Sequence, residues 1–393
     1  IETMERFLRR FAGFLALCCL LAALPAEEVW NADEGWGLNL PEGWVLMDAS
    51  SGAGNFNFSD PAGHAILQVF RVEGSARAYA AGLQASMKVK PVAGSPKTFL
   101  FNKCPGQWTE ATWQVGQFAV HGVILAIDVA GSDASGAAAS VPAAPQVLVA
   151  YALDAEWTAY KDQVLSLLDS FFIGEDAACL PGPVSQMDAN DGWSGGPLPD
   201  LAAATRVSRA VAQRESRILA TFQDAGPEIQ GKAWRRFYQM LWKDSYSRLD
   251  DVANQISRVF SEEKVTRERM PRELLAFVQD FKAETYDTLE DIRVPLDAIN
   301  TQAGDCDGRG LVYMILLEHM GFSSILLVSS VYQHSMVGLD YQAAGIKGGG
   351  FTYPLDGKAW MVAETMAKVP LGQINRDMSD VKNWLGFDLH FIP

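Results

Sequence analysis

The sequence is poor in basic residues for its length, and this shortage limits what the protein can bind. Its 393 residues include 32 lysines and arginines against 47 aspartates and glutamates, which gives a net charge of -15 at pH 7. A surface with such an excess of acidic groups repels the phosphates of nucleic acid. We therefore expect no nucleic-acid partner, and we note that exported proteins tend to have acidic surfaces.

Sequence motifs for common cofactor and metal sites are absent as well. The chain contains no G-x-x-x-x-G-K-[ST], no H-E-x-x-H and no C-x-x-C, the patterns that supply phosphate or metal contacts. Residues 305–308 have the D-x-D-G spacing of a calcium loop, but Leu316 occupies the position where the last ligand, a glutamate, belongs. His64 and His121 lie in predicted strands without a second ligand at metal spacing, so both are predicted to be structural. We expect no metal and no cofactor.

The N-terminus has the pattern of an export signal. Three arginines precede the apolar run 11–24, which is short for a membrane span, and Ala26 supplies a small residue after it. We therefore predict a signal peptide over residues 1–26 and a periplasmic or cell-envelope location. Lipid anchoring at Cys18 remains an alternative, but it is less favoured because the preceding Leu17 is large for such a site.

Cysteine is scarce, and its distribution makes one cysteine conspicuous. Two of the five cysteines lie within the predicted signal peptide, so the mature chain would keep Cys104, Cys179 and Cys306. Three is an odd number for an oxidising compartment. A disulfide between Cys104 and Cys179 would leave Cys306 as a free thiol, although the sequence does not fix the pairing. An unpaired thiol in an exported protein calls for an explanation.

The length predicts two domains, because 393 residues exceed what one ordinary core accommodates. Residues 31–175 form a predicted α+β unit, which opens with strands 36–40 and 44–48 around a Pro-Glu-Gly turn. Two helices and further strands complete this unit. Residues 176–200 are rich in proline and glycine and predict a linker. Residues 201–393 form a second, helix-rich domain.

The order of elements in the first domain resembles that of the PsbP-like proteins. A strand pair, a helix, antiparallel strands and a closing helix follow one another, and the segments GWGLNLPEGW, AILQVF and YKDQVLSLLDSF carry the resemblance. The resemblance implies an α/β/α sandwich. It also implies a binding or scaffolding role, since proteins of that fold mostly serve in this way.

The second domain opens with predicted core helices. Apolar residues recur mostly at intervals of three and four from Trp234 to Val259, which predicts a helix with one buried face. Another helix follows Pro271, since proline is tolerated at the first positions of a helix. We expect both helices to pack in the core and not to form an aromatic binding surface.

The segment AGDCDGRG places a cysteine at the start of a predicted helix. Asp305 is a suitable N-cap and Gly321 a suitable C-terminal stop. In the first turn, Cys306 would meet unpaired N–H groups and the positive end of the helix dipole, which favour a thiolate. A flanking aspartate opposes this effect, and Asp307 is expected to face solvent. Cys306 is thus a candidate nucleophile that needs a histidine partner.

A histidine partner and an acidic group follow in the sequence. The segment SSILLVSSVYQHSMVGLD predicts two strands, and His334 lies on the second. Loop closure over this separation is cheap enough to bring His334 to Cys306. A hairpin then turns at Asp356 and Gly357, and Glu364 on its second strand would orient His334. A nucleophile, a base and an orienting group make up a catalytic triad.

Together these segments resemble the transglutaminase-like superfamily of papain-like cysteine enzymes. The resemblance covers residues 230–385 and rests on GDCDGRGLVYMILLEHMGF, on the histidine strand and on the ETM that ends FTYPLDGKAWMVAETM. It implies a domain of helices and an antiparallel sheet. It also implies Cys306 as nucleophile, His334 as general base and Glu364 as orienting acid.

Two further residues belong to the candidate site. Gln302 lies just upstream of the cysteine and is a candidate for an oxyanion hole with the backbone N–H of Cys306. Asp356 is an alternative third member of the triad, although its Leu-Asp-Gly-Lys context favours a hairpin turn.

The sequence therefore predicts an exported α+β cysteine enzyme that acts on a protein or peptide substrate through an acyl-enzyme. Hydrolysis is favoured over crosslinking, because nothing in the sequence identifies an amine-donor site. The alternative is a non-catalytic cell-envelope protein that keeps the transglutaminase-like fold and uses both domains as interaction surfaces.

Overall fold

The computed structural model describes residues 28–31, 35–50, 55–101, 104–128, 144–173, 201–285, 292–347 and 349–390. The predicted signal peptide, the linker, Cys18 and Cys179 lie outside the described residues, as does the side chain of Cys104. The described residues divide into two compact units. One contains the residues up to 173 together with 224–233, and the other contains 201–223 and 234–390.

The first unit is built on an eight-stranded antiparallel sheet and a smaller three-stranded sheet. Its elements are β1 (Glu28–Asn31), β2 (Trp36–Asn39), β3 (Val45–Ser50), β4 (Asn55–Ser59), β5 (Ala65–Arg71), α1 (Ala76–Ser86), β6 (Lys90–Pro91), β7 (Lys97–Phe101), β8 (Cys104–Val115), β9 (Phe118–Ile127), β10 (Gln146–Leu153), α2 (Trp157–Ser170) and β11 (Phe172–Ile173). The large sheet has the order β3-β4-β5-β10-β9-β8-β6, with β7 also paired to β8. The two strands predicted around the Pro-Glu-Gly turn exist as β2 and β3, but they lie in different sheets.

Helices cover the central strands of the large sheet on both faces. Val147 and Val149 of β10 share one apolar cluster with Leu83 of α1. The alternate residues Leu148 and Ala150 are also fully buried, and α2 packs against the same strand. Because successive side chains of a strand point to opposite faces, the unit has α/β/α layers. The predicted α+β class is confirmed.

The second unit combines helices with a five-stranded antiparallel sheet of order β16-β17-β15-β14-β18. Its helices are α3 (Leu201–Ala220), α4 (Pro227–Tyr246), α5 (Asp250–Glu262), α6 (Met270–Gln279), α7 (Pro295–Thr301) and α8 (Cys306–His319). Helix α4 belongs to this unit from Trp234 onward. Its strands are β12 (Lys282–Ala283), β13 (Ala303–Gly304), β14 (Ser324–Ser329), β15 (His334–Leu339), β16 (Thr352–Leu355), β17 (Lys358–Ala363) and β18 (Leu385–Phe387). No helix among the described residues is both long enough and apolar enough to cross a bilayer.

Helix α8 lies at the centre of the second unit. Every residue from Leu311 to Leu317 is fully buried, because α6 and α7 pack against the helix together with β14 and β15. A helix that is apolar on all sides requires such surroundings. The Asp305 side chain accepts a hydrogen bond from the N–H of Gly308 at 2.8 Å, and Gly321 adopts a φ of 74° after the helix ends. Both predicted helix boundaries are confirmed.

The long helix predicted from Trp234 onward is interrupted. Helix α4 ends at Tyr246, a 3-10 turn occupies Ser247–Leu249, and α5 begins at Asp250. The interruption changes the direction in which the later side chains point. Val259 is consequently 44% exposed, and the prediction that it lies on the buried face is wrong.

Candidate active site

Cys306, His334 and Glu364 come from three elements that meet at one end of the sheet. Cys306 is the first residue of α8, His334 is the first residue of β15, and Glu364 directly follows the last residue of β17. Strands β15 and β17 are antiparallel neighbours, with Val337 opposite Ala363. The beginning of one strand and the end of the other therefore lie at the same edge.

The imidazole of His334 connects the other two side chains. Its Nε2 atom lies 2.7 Å from Oε2 of Glu364. Cys306, whose side chain is half-buried, interacts with the same imidazole and helps to raise its pKa. Because Nε2 faces the carboxylate, Nδ1 is the nitrogen left for the thiol. The order thiol, imidazole, carboxylate is the one that a nucleophile, a base and an orienting acid require.

Electrostatics favour a charged His334. Burial favours the neutral imidazole, but the hydrogen bonds to Cys306 and Glu364 and the charges of both partners outweigh it and raise the pKa of His334 to about 10. Burial likewise opposes ionisation of Glu364. The hydrogen bond and the charge of His334 prevail there and hold the pKa of this carboxyl below its usual range. At neutral pH the pair is therefore ionised.

Main-chain contacts fix the carboxylate of Glu364, which is 6% exposed. Its Oε1 atom accepts a hydrogen bond from the N–H of Met366 at 2.7 Å. The carbonyl of Glu364 accepts another from Nε2 of Gln279 at 2.8 Å, and the same amide nitrogen donates to the carbonyl of Val369 at 2.9 Å. The acidic group is thus held in position independently of His334.

An aromatic side chain that the sequence did not reveal contacts the histidine. The ring of Trp384 lies edge-on to His334 at 6.3 Å between centroids, and Trp384 is 3% exposed. Its Nε1 atom donates a hydrogen bond to the carbonyl of Met378 at 2.9 Å, which fixes the indole. Trp384 therefore covers one side of the imidazole with apolar surface.

The prediction that Asp307 faces solvent is wrong. Its Oδ1 atom accepts a hydrogen bond from the hydroxyl of Tyr238 at 3.0 Å, since α4 packs beside the start of α8. Burial raises the pKa of Asp307 against the opposing effects of Ser335, Tyr238 and His334. Burial together with the neighbouring charge of Asp307 also raises the pKa of Asp305, to about 7. The acidic groups beside the cysteine are thus half-buried and interact with each other.

The two remaining candidates are exposed. Gln302 has a φ of 47° at the end of α7, and its carbonyl accepts a hydrogen bond from the N–H of Lys282 at 2.7 Å. Its role in an oxyanion hole stays a prediction. Asp356 and Gly357, with φ of 50° and 75°, form the two-residue turn between β16 and β17. It is Glu364 that contacts His334.

No arrangement suited to a metal ion occurs in the part of the chain that the structure describes. Within it, no three histidine, cysteine, aspartate or glutamate side chains are placed to hold one. His64 and His121 contact carboxylates of the first unit: Nδ1 of His64 lies 2.7 Å from Glu156, and Nε2 of His121 lies 3.1 Å from Glu110. His121 also stacks on Trp157.

No protein-family model and no curated protein matches the chain. Solved structures similar to it include the cyanobacterial PsbP (CyanoP) of Synechocystis, with a TM-score of 0.29, 12% identity and coverage of 39% of this chain and 95% of that one. LpqN of Mycobacterium tuberculosis, which is involved in cell envelope biogenesis, has a TM-score of 0.25 and 15% identity, and the match covers 38% of this chain and 90% of that one. A Bacteroides thetaiotaomicron protein has a TM-score of 0.26 and 6% identity, and the match covers 56% of this chain and 78% of that one. A PsbP protein is thus among the similar structures.

Proposed function

We propose that the second unit is a transglutaminase-like cysteine enzyme that breaks peptide or amide bonds through an acyl-enzyme. The connected contacts of Cys306, His334 and Glu364 support this proposal, above all the 2.7 Å distance between His334 and Glu364 that fixes the imidazole. A cysteine at a helix N-terminus beside a charged histidine is a suitable environment for a nucleophile.

In the first half of the reaction, the sulfur of Cys306 attacks the substrate carbonyl as a thiolate. A C–S bond forms, and the carbonyl π electrons move to the oxygen. When the tetrahedral intermediate collapses, the C–N bond breaks and His334 donates its proton to the leaving amine. The products are a thioester on Cys306 and a neutral imidazole. Glu364 stabilises the charged imidazole before transfer and keeps the ring in place afterwards.

In the second half, neutral His334 takes a proton from water while the water oxygen attacks the thioester carbonyl. The C–S bond then breaks, which releases a carboxylic acid and restores the thiolate beside a protonated imidazole. The negative oxygen of each tetrahedral intermediate needs hydrogen-bond donors. The backbone N–H of Cys306 is one candidate, since the first N–H groups of a helix lack partners within it. The side chain of Gln302 is the second candidate.

We also propose a setting for this activity. The signal-peptide pattern of residues 1–26 supports export to the periplasm or cell envelope. The α/β/α layers of the first unit are compatible with a PsbP-like domain that binds or scaffolds. Protein or peptide substrates follow from the proposed amide chemistry.

Profiling with a peptide library tests the proposal. The full chain, its Cys306→Ala variant and its His334→Ala variant are incubated with the library, and new termini are detected by mass spectrometry. We expect cleavage by the unchanged protein alone. A biotinylated primary amine added to the same reactions distinguishes transfer, which would label peptides, from hydrolysis. Equal product patterns for the unchanged protein and Cys306→Ala would favour the non-catalytic alternative.

A further inference from the structure

Arg309 lies one helical turn after Cys306 and is 1% exposed. Its guanidinium donates hydrogen bonds to three main-chain carbonyls. Nε donates to Gly304 at 3.0 Å, Nη1 to Thr365 at 3.2 Å and Nη2 to Phe281 at 2.5 Å. A buried arginine whose described hydrogen bonds all go to carbonyls is unusual, since buried charges are normally paired.

The three carbonyls belong to segments that define the candidate site. Gly304 precedes Cys306 by two residues, and Thr365 directly follows Glu364. Phe281 directly precedes β12, which pairs in parallel with β13, so that Lys282 lies opposite Ala303. The planar guanidinium of Arg309, with its rigid set of N–H donors, therefore links Gly304, just before the nucleophile Cys306, to Thr365, just after Glu364.

The charge of Arg309 is balanced by the site. Burial lowers the pKa of the guanidinium, while the nearby charges of Asp305, Glu364 and Cys306 oppose that effect. The same acidic groups gain a positive neighbour in addition to His334. A neutral side chain at this position would leave both the three carbonyls and the surrounding acidic groups without that partner.

We propose that Arg309 is a positioning residue, which holds Thr365 against Gly304 so that Glu364 keeps the His334 ring directed at Cys306. This inference rests on the proposed function. Gln279 supports the same segment from α6, because it donates to the carbonyls of Glu364 and Val369. Arg309 touches no reacting atom. Its loss should act through the distance between Cys306 and the imidazole.

Arg267 offers a matched control, because it contacts the residues that follow the C-terminal end of α8. It donates to the carbonyls of Met320 at 3.4 Å and Gly321 at 2.7 Å, and it lies over the ring of Phe322. An Arg267→Ala variant therefore also removes an arginine that binds carbonyls around α8, but it leaves the candidate site untouched.

The experiment compares Arg309→Lys, Arg309→Ala and Arg267→Ala in the full chain. Thermal unfolding reports folding, the rate of iodoacetamide labelling at Cys306 reports its reactivity, and the NMR signal of the His334 ring proton at Nε2 reports the contact with Glu364. We expect both Arg309 variants to label more slowly, by about three- to tenfold and by less than His334→Ala, and to lose the ring-proton signal. Low millimolar methylguanidinium should partly restore labelling of Arg309→Ala. Arg267→Ala should keep the rate and the signal.

A folded Arg309→Ala with the original labelling rate and His334 signal would overturn the inference. Loss of the fold in both Arg309 variants, without recovery in methylguanidinium, would equally overturn it in favour of a purely structural role. The His334 signal needs no substrate. If the unchanged protein turns over no peptide, the proposed function fails, and the signal still decides whether Arg309 positions the ring.

Discussion

The Nε2 atom of His334 and the Oε2 atom of Glu364 lie 2.7 Å apart, although 30 residues separate the two in sequence. The contact forms at the edge where β15 begins and β17 ends. It fixes which ring nitrogen faces Cys306, and it places a buried negative charge next to the imidazole. The protonation of His334 should therefore depend on Glu364 more than on any exposed carboxylate.

Replacing Glu364 should lower the pKa of His334. In Glu364→Gln the imidazole loses the negative charge but keeps a carbonyl oxygen as acceptor, so its pKa should fall from about 10 towards the ordinary value of 6.5. An NMR titration of the His334 ring signals measures this shift. Asp356→Asn is the matched control, because Asp356 is an exposed turn residue. A larger effect of Asp356→Asn would make Asp356 the third group.

The same shift predicts how His334 affects stability. Its pKa is higher in the folded protein than the ordinary value of 6.5, so the contribution is complete below about pH 6.5 and is lost as the pH rises through about 10. Urea unfolding across this range should therefore show a decline in the free energy of unfolding, and Glu364→Gln should make it shallower. Curves with the same slope for both proteins would contradict the assignment.

Cys306 should react quickly with iodoacetamide at pH 6. An ordinary thiol is almost fully protonated at that pH and reacts slowly. The charged imidazole of His334 should stabilise the reactive form of Cys306, so His334→Ala should reduce the labelling rate by about tenfold or more. His319→Ala provides a control on the same helix, where His319 stacks on Tyr246. The same slow rate in the unchanged protein and in His334→Ala would rule out the catalytic pair.

The features that the sequence predicted follow local rules. The Asp305 cap, the Gly321 stop and the turn at Asp356 and Gly357 each depend on residues only a few positions apart. To predict that His334 lies next to Glu364, one must also know which strands are neighbours in the sheet. Antiparallel pairing of β15 and β17 then brings the two residues to one edge.

The features that the sequence did not reveal depend on distant partners. Tyr238 reaches Asp307 across 69 residues, and Gln279 reaches the carbonyl of Glu364 across 85. Arg309 contacts Thr365 across 56 residues, and the residues next to it in the sequence do not distinguish it from an exposed arginine. Which face of α8 is covered depends on the helices that pack against it. Asp307 is covered by Tyr238 of α4 for that reason.

Gly308 should tolerate no side chain. A Cβ atom there would lie 2.4 Å from the carbonyl oxygen of Arg293, which is backbone and cannot turn away. Overpacking costs about 1–3 kcal/mol, while alanine in a helix gains about 1 kcal/mol over glycine. Urea unfolding of Gly308→Ala should show a net loss of up to about 2 kcal/mol and slower labelling of Cys306. In Gly310→Ala the nearest atom, on Leu326, is 3.5 Å away, so this control should unfold at the same or higher urea concentration.

Glu318 should make the second unit less stable as the pH rises. Its carboxylate accepts hydrogen bonds from Nε1 of Trp242 at 2.7 Å and from Ser324 at 3.0 Å. Burial nevertheless raises the pKa of Glu318 from 4.5 to about 7, even with His390 nearby. A carboxyl that binds its proton more tightly in the folded state reduces stability as the pH rises between these values.

The free energy of unfolding should therefore fall between about pH 4.5 and pH 7, by on the order of 3 kcal/mol from this group. Glu318→Gln cannot lose a proton and should remove that part of the slope, although the amide keeps only one of the two acceptor oxygens. Asp305, whose pKa is also raised, acts in the same direction in both proteins, so the difference between their curves isolates Glu318. Glu263→Gln, at an exposed position after α5, should leave the slope unchanged. Parallel curves for the unchanged protein and Glu318→Gln would show that the carboxyl is ionised without penalty in the folded state.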